Sequence, residues 1–373
     1  MQTFIKNIGM PAEYEQHDGT IIIWPVRPGS WGKDQLEAKM AFTRIICEIS
    51  LVEKTYVLSD KSYHDQIKLF VKEAIDKAQD ANEENIILLD IDSDDSWARD
   101  VAPTFVRTDK GIMGVCWQFN AWGGEYDGLY ASWDKDALVA STFCDKTSYQ
   151  ALDNRDFVLE GGSIHSDGEG TLLVTEACLL SKGRNPHMTK QQIEDRLKST
   201  LSVEKILWLP RGIYNDETNE HVDNVCAFVG PAKVVLAWTD DESDPQYELS
   251  RMDYEYLKSQ KDAKGRDIEI IKLPIPDHPI LLTSDDVKGY EFEEGEDERE
   301  VGERMAASYV NFYFANGIAL VPQFGGDNSA SDARAIRILS DACKDKKVIG
   351  IDARVILLGG GNIHCITQQI PKN

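Results

Sequence analysis

The sequence has no stretch approaching 18 consecutive apolar residues and no cysteine pair spaced as Cys-x-x-Cys. The first absence argues against a membrane-spanning helix, and the second argues against a zinc site or a disulfide framework. The opening residues, Met1-Gln-Thr-Phe-Ile-Lys, also lack the charged segment and apolar run of a secretory signal. We therefore expect a cytoplasmic protein with reduced thiols.

Basic residues are few compared with acidic ones: 40 Lys and Arg stand against 64 Asp and Glu, which gives a formal net charge of −24. Such a charge repels nucleic acid and anionic membrane surfaces and attracts cations. The hydrophobic share of 42% is ample for a large core. We expect a small cationic partner, neither nucleic acid nor membrane, and leave a homo-oligomer open.

The seven cysteines are odd in number and scattered, and most occur in apolar contexts typical of small core residues. Cys365 is different, because three glycines, 359–361, precede it and follow an apolar segment that we predict to be a strand. Residues 363–367 also resemble a strand, which would place Cys365 and His364 on opposite faces. We therefore expect a structural role for His364.

Apolar residues at three- and four-residue spacing predict several helices. The charged segment 284–304 resembles a solvated loop or helix face, and we expect no function for it. The predicted helices cover 34–50, 64–79, 246–260, 331–344 and a segment from an N-cap at Thr189 to about Leu201 with Ile193 and Leu197 inward.

A hairpin outline recurs along the chain: a polar residue opens a short strand, a glycine-containing turn follows, and an apolar strand returns. The openings are Asp100, Glu160, His221 and Ser308, and a truncated copy contains Cys365. Successive openings lie 60, 61 and 87 residues apart, and Cys365 follows after 57 more. Further strands are predicted at 86–89, 206–209 and 348–351.

About five repeats of strands plus a helix predict an α/β propeller in a single domain, 1–373, whose hairpin openings face one centre. There Cys365 needs a cationic or basic neighbour, which His221 supplies, and Glu160 can orient that imidazole. Asp100 and Asp223 add carboxylates that match the N–H donors of a planar guanidinium. A bound cation would in turn favour the thiolate.

Several motifs together resemble those of agmatine deiminases in the guanidino-group-modifying (pentein) superfamily, which is related to the peptidylarginine deiminases. The likeness covers essentially the whole chain in the correct order. The motifs are MPAEYE, SWARD, LEGGSIH with GEGTLLVTEACLL, NPHMT, ETNEHVDN and GGGNIHCITQQ.

This resemblance implies a five-bladed α/β propeller that hydrolyses agmatine to N-carbamoylputrescine and ammonia. It places the nucleophile that forms a thiouronium intermediate on Cys365, and acid–base catalysis on His221 paired with Glu160. It places guanidinium binding on Asp100 and Asp223. It implies no metal and no organic cofactor.

The ammonium end of agmatine calls for an acid or an aromatic face, and Glu217 and Trp97 are the candidates. Arg27 would instead suit a substrate that carries a carboxylate. Glu220 departs from the family pattern, in which a small residue precedes the histidine, and it is expected either to perturb the pKa of His221 or to narrow the entrance.

Three alternatives are weighed against this reading. A deiminase of free arginine or methylarginine uses the same chemistry on another guanidine. A non-catalytic pentein that only binds a partner would not need the Cys, His and acidic residues. A papain-like hydrolase is rejected, because Cys365 lies eight residues from the end of the sequence with no room for a following helix.

Overall fold

The computed structural model describes residues 7–373. Residues 1–6, on which the expectation about a secretory signal partly rests, lie outside this range. Among the described residues, no helix is both long enough and apolar enough to cross a membrane.

The described chain alternates strands with helices throughout. The strands are β1 (Asn7–Gly9), β2 (His17–Ile23), β3 (Lys54–Ser59), β4 (Ile86–Asp90), β5 (Thr104–Thr108), β6 (Gly111–Gln118), β7 (Gln150–Val158), β8 (His165–Ser166), β9 (Thr171–Thr175), β10 (Lys205–Leu209), β11 (Cys226–Gly230), β12 (Lys233–Trp238), β13 (Glu269–Pro274), β14 (Tyr313–Ala315), β15 (Ile318–Gln323), β16 (Lys347–Asp352) and β17 (Thr367–Pro371). The α-helices are α1 (Pro28–Trp31), α2 (Leu36–Ser50), α3 (His64–Asp76), α4 (Ala98–Val101), α5 (Gly124–Asp127), α6 (Asp136–Thr147), α7 (Glu176–Leu179), α8 (Lys190–Leu201), α9 (Val222–Val225), α10 (Gln246–Ser259), α11 (Ser284–Lys288), α12 (Ser329–Ala342) and α13 (Arg354–Leu358). Short 3-10 turns occupy Lys61–Tyr63, Glu83–Asn85, Gly161–Ser163 and Gly326–Asn328.

The predicted helices and the further strands are confirmed, with ends that move by a few residues. Thr189 caps α8 in a reciprocal capping box with Gln192, and Ile193 and Leu197 are buried on the inner face.

The strands form five separate sheets of three or four strands, all built on one plan. An antiparallel hairpin is followed by a helix that returns the chain to a parallel third strand. The hairpins are β5–β6, β8–β9, β11–β12, β14–β15 and β17–β2, and the helices that follow them are α6, α8, α10, α12 and α2. The repeat predicted from the sequence is therefore present as five ββαβ units in a mixed α/β fold.

The fifth unit joins distant parts of the chain, because β17 pairs antiparallel with β2, from Thr367 opposite Ile22 to Ile370 opposite Gly19, after which the register shifts by one residue. Helix α2 then packs its buried face, including Phe42, Ile45 and Ile46, against this sheet. This pairing fixes the position of Cys365, which lies two residues before β17.

The sequence predicted that the residues opening the hairpins lie in strands. The structure places them instead in short turns just before the strands. Asp100 lies in α4, Glu160 precedes a 3-10 turn, and His221 precedes the single turn of α9. Residues 363–366 also form a turn rather than a strand, and glycines 359–361 follow helix α13 rather than an apolar strand. A helical turn suits these positions because it aims polar side chains past the end of the sheet, whereas a strand would point alternate ones into the core.

Candidate active site

A cavity of about 240 Å³ opens where these turns meet. Six of the seven residues predicted for the site line it, and Glu160 lies just behind. The six are Trp97, Asp100, Glu217, His221, Asp223 and Cys365.

Cys365 is the only one of the seven cysteines that is not fully buried. Its Sγ lies 3.4 Å from Oδ1 of Asn311 and 4.0 Å from Oδ2 of Asp223. A Cβ on Gly361 would lie 3.1 Å from this sulfur and 2.6 Å from the ring of Trp97, so glycine keeps the approach to the thiol open.

Burial raises the pKa of the Cys365 thiol well above its ordinary value, and the carboxylates of Asp223 and Asp100 raise it further. The thiol is therefore neutral in the empty cavity. A cation placed among these groups would act in the opposite direction and favour the thiolate.

His221 faces carboxylates on two sides. Its Nε2 lies 3.7 Å from Glu160 Oε2, and its Nδ1 lies 4.0 Å from Asp100 Oδ1. Burial opposes protonation, but Asp100, the thiol of Cys178 and Glu160 outweigh burial and raise the pKa of His221 well above its ordinary value. His221 is therefore an imidazolium at neutral pH and can donate a proton.

Asp100 is held by two neutral donors, Trp122 Nε1 and the backbone N–H of Gly162, each at 2.9 Å. Burial raises the pKa of Asp100 to about 6, and repulsion from Asp223 and Glu160 contributes to this increase. The carboxyl is ionised at neutral pH but close to its titration range.

Glu160 is paired with Arg184, whose Nε lies 2.8 Å from Oε1 in a pair that is fully buried on both sides. Arg184 also donates to the carbonyls of Trp122 and Thr218. Although burial disfavours its ionised form, Arg184 and His221 lower the pKa of Glu160. Because its charge is already matched, Glu160 is suited to orienting His221 rather than to gripping a substrate.

Asp223 is bound by His364, whose Nδ1 lies 2.7 Å from Oδ2. Residues 363–366 form a turn rather than the predicted strand, and this turn brings the ring of His364 against Asp223; the structural role expected for His364 therefore includes a contact with the site. The hydrogen bond and charge of His364 overcome the effect of burial and lower the pKa of Asp223.

Two other residues at this centre were missed. Asn311 Oδ1 accepts from the backbone N–H groups of His364 and Cys365 at 3.0 and 3.4 Å, and Glu13 binds His364. Asn311 precedes β14, so the fourth hairpin also contributes to the site, although through Asn311 rather than Ser308. Aligning the hairpins at their first strands would have pointed to it.

Two buried groups have the donor spacing of metal sites: Glu13 with His165 and His364, and Glu160 with Cys178 and His221. In each group, however, the carboxylate already pairs with a buried arginine. A second cation at that carboxylate would be repelled by the guanidinium. We interpret both groups as proton-holding networks.

At the outer end of the cavity, Glu217 forms a two-pronged ion pair with Arg299, at 2.6 and 2.9 Å. Trp97 packs its ring on Trp31 and donates Nε1 to Asp95 at 3.0 Å. Trp97 thus has a packing role and also forms part of the cavity wall.

The segment 284–304, which we call the lid segment, was expected to have no role. Most of its side chains are exposed, as expected of a solvated loop, but several of them line the cavity, namely Phe292, Glu296, Asp297, Glu298, Arg299 and Glu303. Arg354 binds Asp286 at 2.9 Å and Tyr290 donates to the carbonyl of Leu358 at 2.7 Å, which anchors its first half.

Arg27 binds Glu296 of the lid segment and lies over the ring of Tyr130, 4.2 Å from its centroid. Its charge is therefore already matched within the protein. Glu220 points away from the cavity, since its carboxylate pairs with Arg211 at 2.5 Å and accepts from the N–H of Gly212 at 2.6 Å. No contact of this carboxylate with His221 exists among the described residues.

Gly162 provides a test of this geometry. A Cβ there would lie 2.6 Å from His221 Nδ1, 2.9 Å from Asp100 Oδ1 and 3.0 Å from Asp223 Oδ2. We expect Gly162→Ala to reduce kcat/KM at least about a hundredfold, because misplacing reacting groups by about 1 Å costs that much.

Gly230→Ala is the matched control, because a Cβ there meets nothing closer than Lys233 at 3.9 Å. Both variants should show the same cooperative thermal unfolding within a few degrees. Unchanged turnover by a folded Gly162→Ala protein would contradict the convergence of these three side chains.

Known proteins resemble this chain over almost its whole length. The family model of the Porphyromonas-type peptidyl-arginine deiminases matches residues 9–371. A Selenomonas ruminantium protein named "Putative agmatine deiminase" is 52% identical over 97% of this chain and 95% of its own.

Two solved structures are similar over nearly all of both chains. The agmatine deiminase of Enterococcus faecalis shares 39% identity with a TM-score of 0.89, over 99% of this chain and 96% of its own. A substrate-bound agmatine deiminase of C. jejuni shares 26% identity with a TM-score of 0.80, over 100% and 98%. The chain belongs to the family of Porphyromonas-type peptidyl-arginine deiminases.

Proposed function

We propose that this chain hydrolyses agmatine to N-carbamoylputrescine and ammonia, with Cys365 as the nucleophile. The observation that carries the proposal is a single cavity in which a thiol, an imidazolium and two ionised carboxylates converge. Relatives that bear the name agmatine deiminase at up to 52% identity support the choice of substrate.

In the first half-reaction, the guanidinium binds Asp100 and Asp223, and its charge lets the thiol of Cys365 lose its proton to solvent. The thiolate attacks the central carbon and gives a tetrahedral adduct. His221 then protonates the departing nitrogen, which leaves as ammonia, and a thiouronium ester stays on the sulfur.

In the second half-reaction, the now neutral His221 removes a proton from water, and the hydroxide attacks the same carbon. The carbon–sulfur bond of this second adduct then breaks, and the proton of its hydroxyl group passes to the departing sulfur. Cys365 thereby returns as a thiol, the carbamoyl product is released, and His221 is again an imidazolium. Glu160 holds the imidazole in one orientation through both steps, because Arg184 fixes that carboxylate.

The outer end of the cavity favours agmatine over arginine. A carboxylate on the substrate would need a cation there, but Arg27 is matched by Glu296 and Arg299 by Glu217. An ammonium can instead share Glu217 and lie near the face of Trp97.

We further propose that the whole chain is one domain and that the five sheets surround the cavity as the blades of a propeller. The support is that each hairpin supplies a residue from the turn before its first strand to the same centre. These residues are Asp100, Glu160, His221, Asn311 and Cys365.

The central experiment replaces the nucleophile. Cys365→Ala should abolish ammonia release while agmatine still binds by calorimetry, because the carboxylates remain. Cys343→Ala, a buried thiol that does not line the cavity, should keep full turnover. If Cys365→Ala kept a tenth of the wild-type rate, or if arginine were used as fast as agmatine, the proposal would be wrong.

The pH profile tests the guanidinium site. Because the pKa of Asp100 is about 6, kcat/KM for agmatine should fall as the pH decreases below 6, where Asp100 becomes protonated. The corresponding decrease in kcat should occur at lower pH, because the bound substrate cation favours the ionised form of Asp100. Asp100→Asn should lower kcat/KM and lose this limb. An unchanged acid limb in Asp100→Asn would exclude Asp100 as its origin.

The amine end can be tested with 1-butylguanidine, which lacks the ammonium. Glu217→Gln should raise KM for agmatine about fivefold, because an exposed charge pair contributes up to about 1 kcal/mol. The KM for 1-butylguanidine should not change. Glu242→Gln, an exposed acid that does not line the cavity, is the control. Equal effects on both substrates would rule out contact between Glu217 and the amine.

A further inference from the structure

His364 does not line the cavity, yet it is hydrogen-bonded to Asp223, which does. Its Nδ1 lies 2.7 Å from Asp223 Oδ2, and its Nε2 lies 2.7 Å from Glu13 Oε2. All three side chains are buried. One imidazole therefore separates two carboxylates, and both of its nitrogens are engaged.

The charges around this imidazole alternate in sign. Arg99 Nη2 lies 3.1 Å from Glu13 Oε2, so the order toward the cavity is Arg99, Glu13, His364 and Asp223. His165 faces the ring of His364 at 6.0 Å between centroids, and burial lowers the pKa of His165 to about 4, so this neighbour is neutral.

Burial and Arg99 oppose protonation of His364, but Glu13 and Asp223 outweigh them and raise the pKa of His364. The other titratable group beside it is the neutral thiol of Cys365. His364 is therefore an imidazolium that donates one hydrogen bond to each carboxylate. Without that cation, two buried carboxylates would face each other, and one of them would take up a proton.

We propose that His364 is a positioning residue that keeps Asp223 ionised and aimed at the cavity, so that Asp223 can bind the substrate cation. This inference rests on the proposed function, in which Asp223 binds the guanidinium. His364 itself touches neither the substrate nor the reacting atoms.

Two substitutions of His364 distinguish its effect on the orientation of Asp223 from the effect of its positive charge. The amide nitrogen of asparagine lies where Nδ1 of histidine does, so His364→Asn can still donate to Asp223, whereas His364→Gln reaches the Nε2 position and Glu13. Both variants lose the positive charge. We expect KM for agmatine to rise in both variants as the pH falls, by about tenfold for each pH unit below the raised pKa of Asp223, and to rise more in His364→Gln.

The decisive readout is the pH dependence of agmatine binding, measured in a Cys365→Ala background so that no turnover occurs. The loss of His364 should make the acid limb of binding steeper and move it upward, because Asp223 then titrates together with Asp100, whose pKa is about 6. At pH 9 most of the affinity should return. Adding Glu13→Gln should move the limb part of the way back, since it removes the competing carboxylate.

A merely structural role for His364 would lower the unfolding temperature and the affinity equally at every pH, and that result would overturn the inference. The intact protein offers a second measurement if neither variant folds. Nitrogen-15 histidine spectra should then show that His364 stays an imidazolium, with both ring nitrogens protonated, at a pH where an ordinary imidazole has become neutral, and a neutral ring for His364 there would also overturn it.

An error in the proposed function would give a different experimental result from an error in the inference about His364. If Asp223→Asn binds agmatine as tightly as the parent, Asp223 does not bind the cation, and the premise is lost. If Asp223→Asn weakens binding while the acid limb in His364→Gln stays in place, the premise survives and the inference about His364 is wrong.

Discussion

At the Cys365 end of the cavity, four carboxylates are buried together. The site depends on the neutralisation of their negative charge by buried cations. Isolated carboxylates in such a place would become protonated rather than stay charged. Here four cations are buried with them, so the charges balance while the thiol of Cys365 is neutral. The anions are Glu13, Asp100, Glu160 and Asp223, and the cations are Arg99, Arg184, His221 and His364.

In the mechanism that we propose, a substrate cation disturbs this balance, and ionisation of Cys365 restores it. Burial and nearby acids hold the thiol neutral in the empty cavity, which makes it a poor nucleophile toward neutral electrophiles and oxidants. Once a guanidinium is bound, the same acids are neutralised and the sulfur loses its proton more readily. The reactivity of the sulfur therefore depends on the ligand, so selection for a cation is part of the chemical step as well as of binding.

Much of this arrangement could be predicted from the sequence, because each hairpin is a local pattern with its key polar residue at its start. Cys365, His221, Asp100 and Asp223 all line the cavity, and Glu160 lies behind it. The turns before the strands were mistaken for strands, since a single helical turn of four residues has no periodicity to detect. For the same reason the contact between His364 and Asp223 was not predicted.

What the sequence did not reveal are contacts between distant units. Glu13 reaches His364 across 351 positions and Arg99 across 86. For a related reason, the sequence did not predict that the lid segment lines the cavity. A run of charges resembles a solvated loop unless its partners are known, and here those partners, Arg27 and Glu217, lie far away in the chain.

The two ends of the cavity therefore select by different means. At the inner end, buried fixed charges attract a flat cation, and salt screens them little. At the outer end, an incoming ammonium can only share Glu217, which is already paired with Arg299. This limits the binding free energy that the ammonium gains there. A carboxylate would bind more weakly still, because Arg27 and Arg299 are each already paired with a glutamate. Asp297 and Glu298 at the rim would also repel it. Discrimination against arginine thus rests more on repulsion of its carboxylate than on attraction of the amine of agmatine.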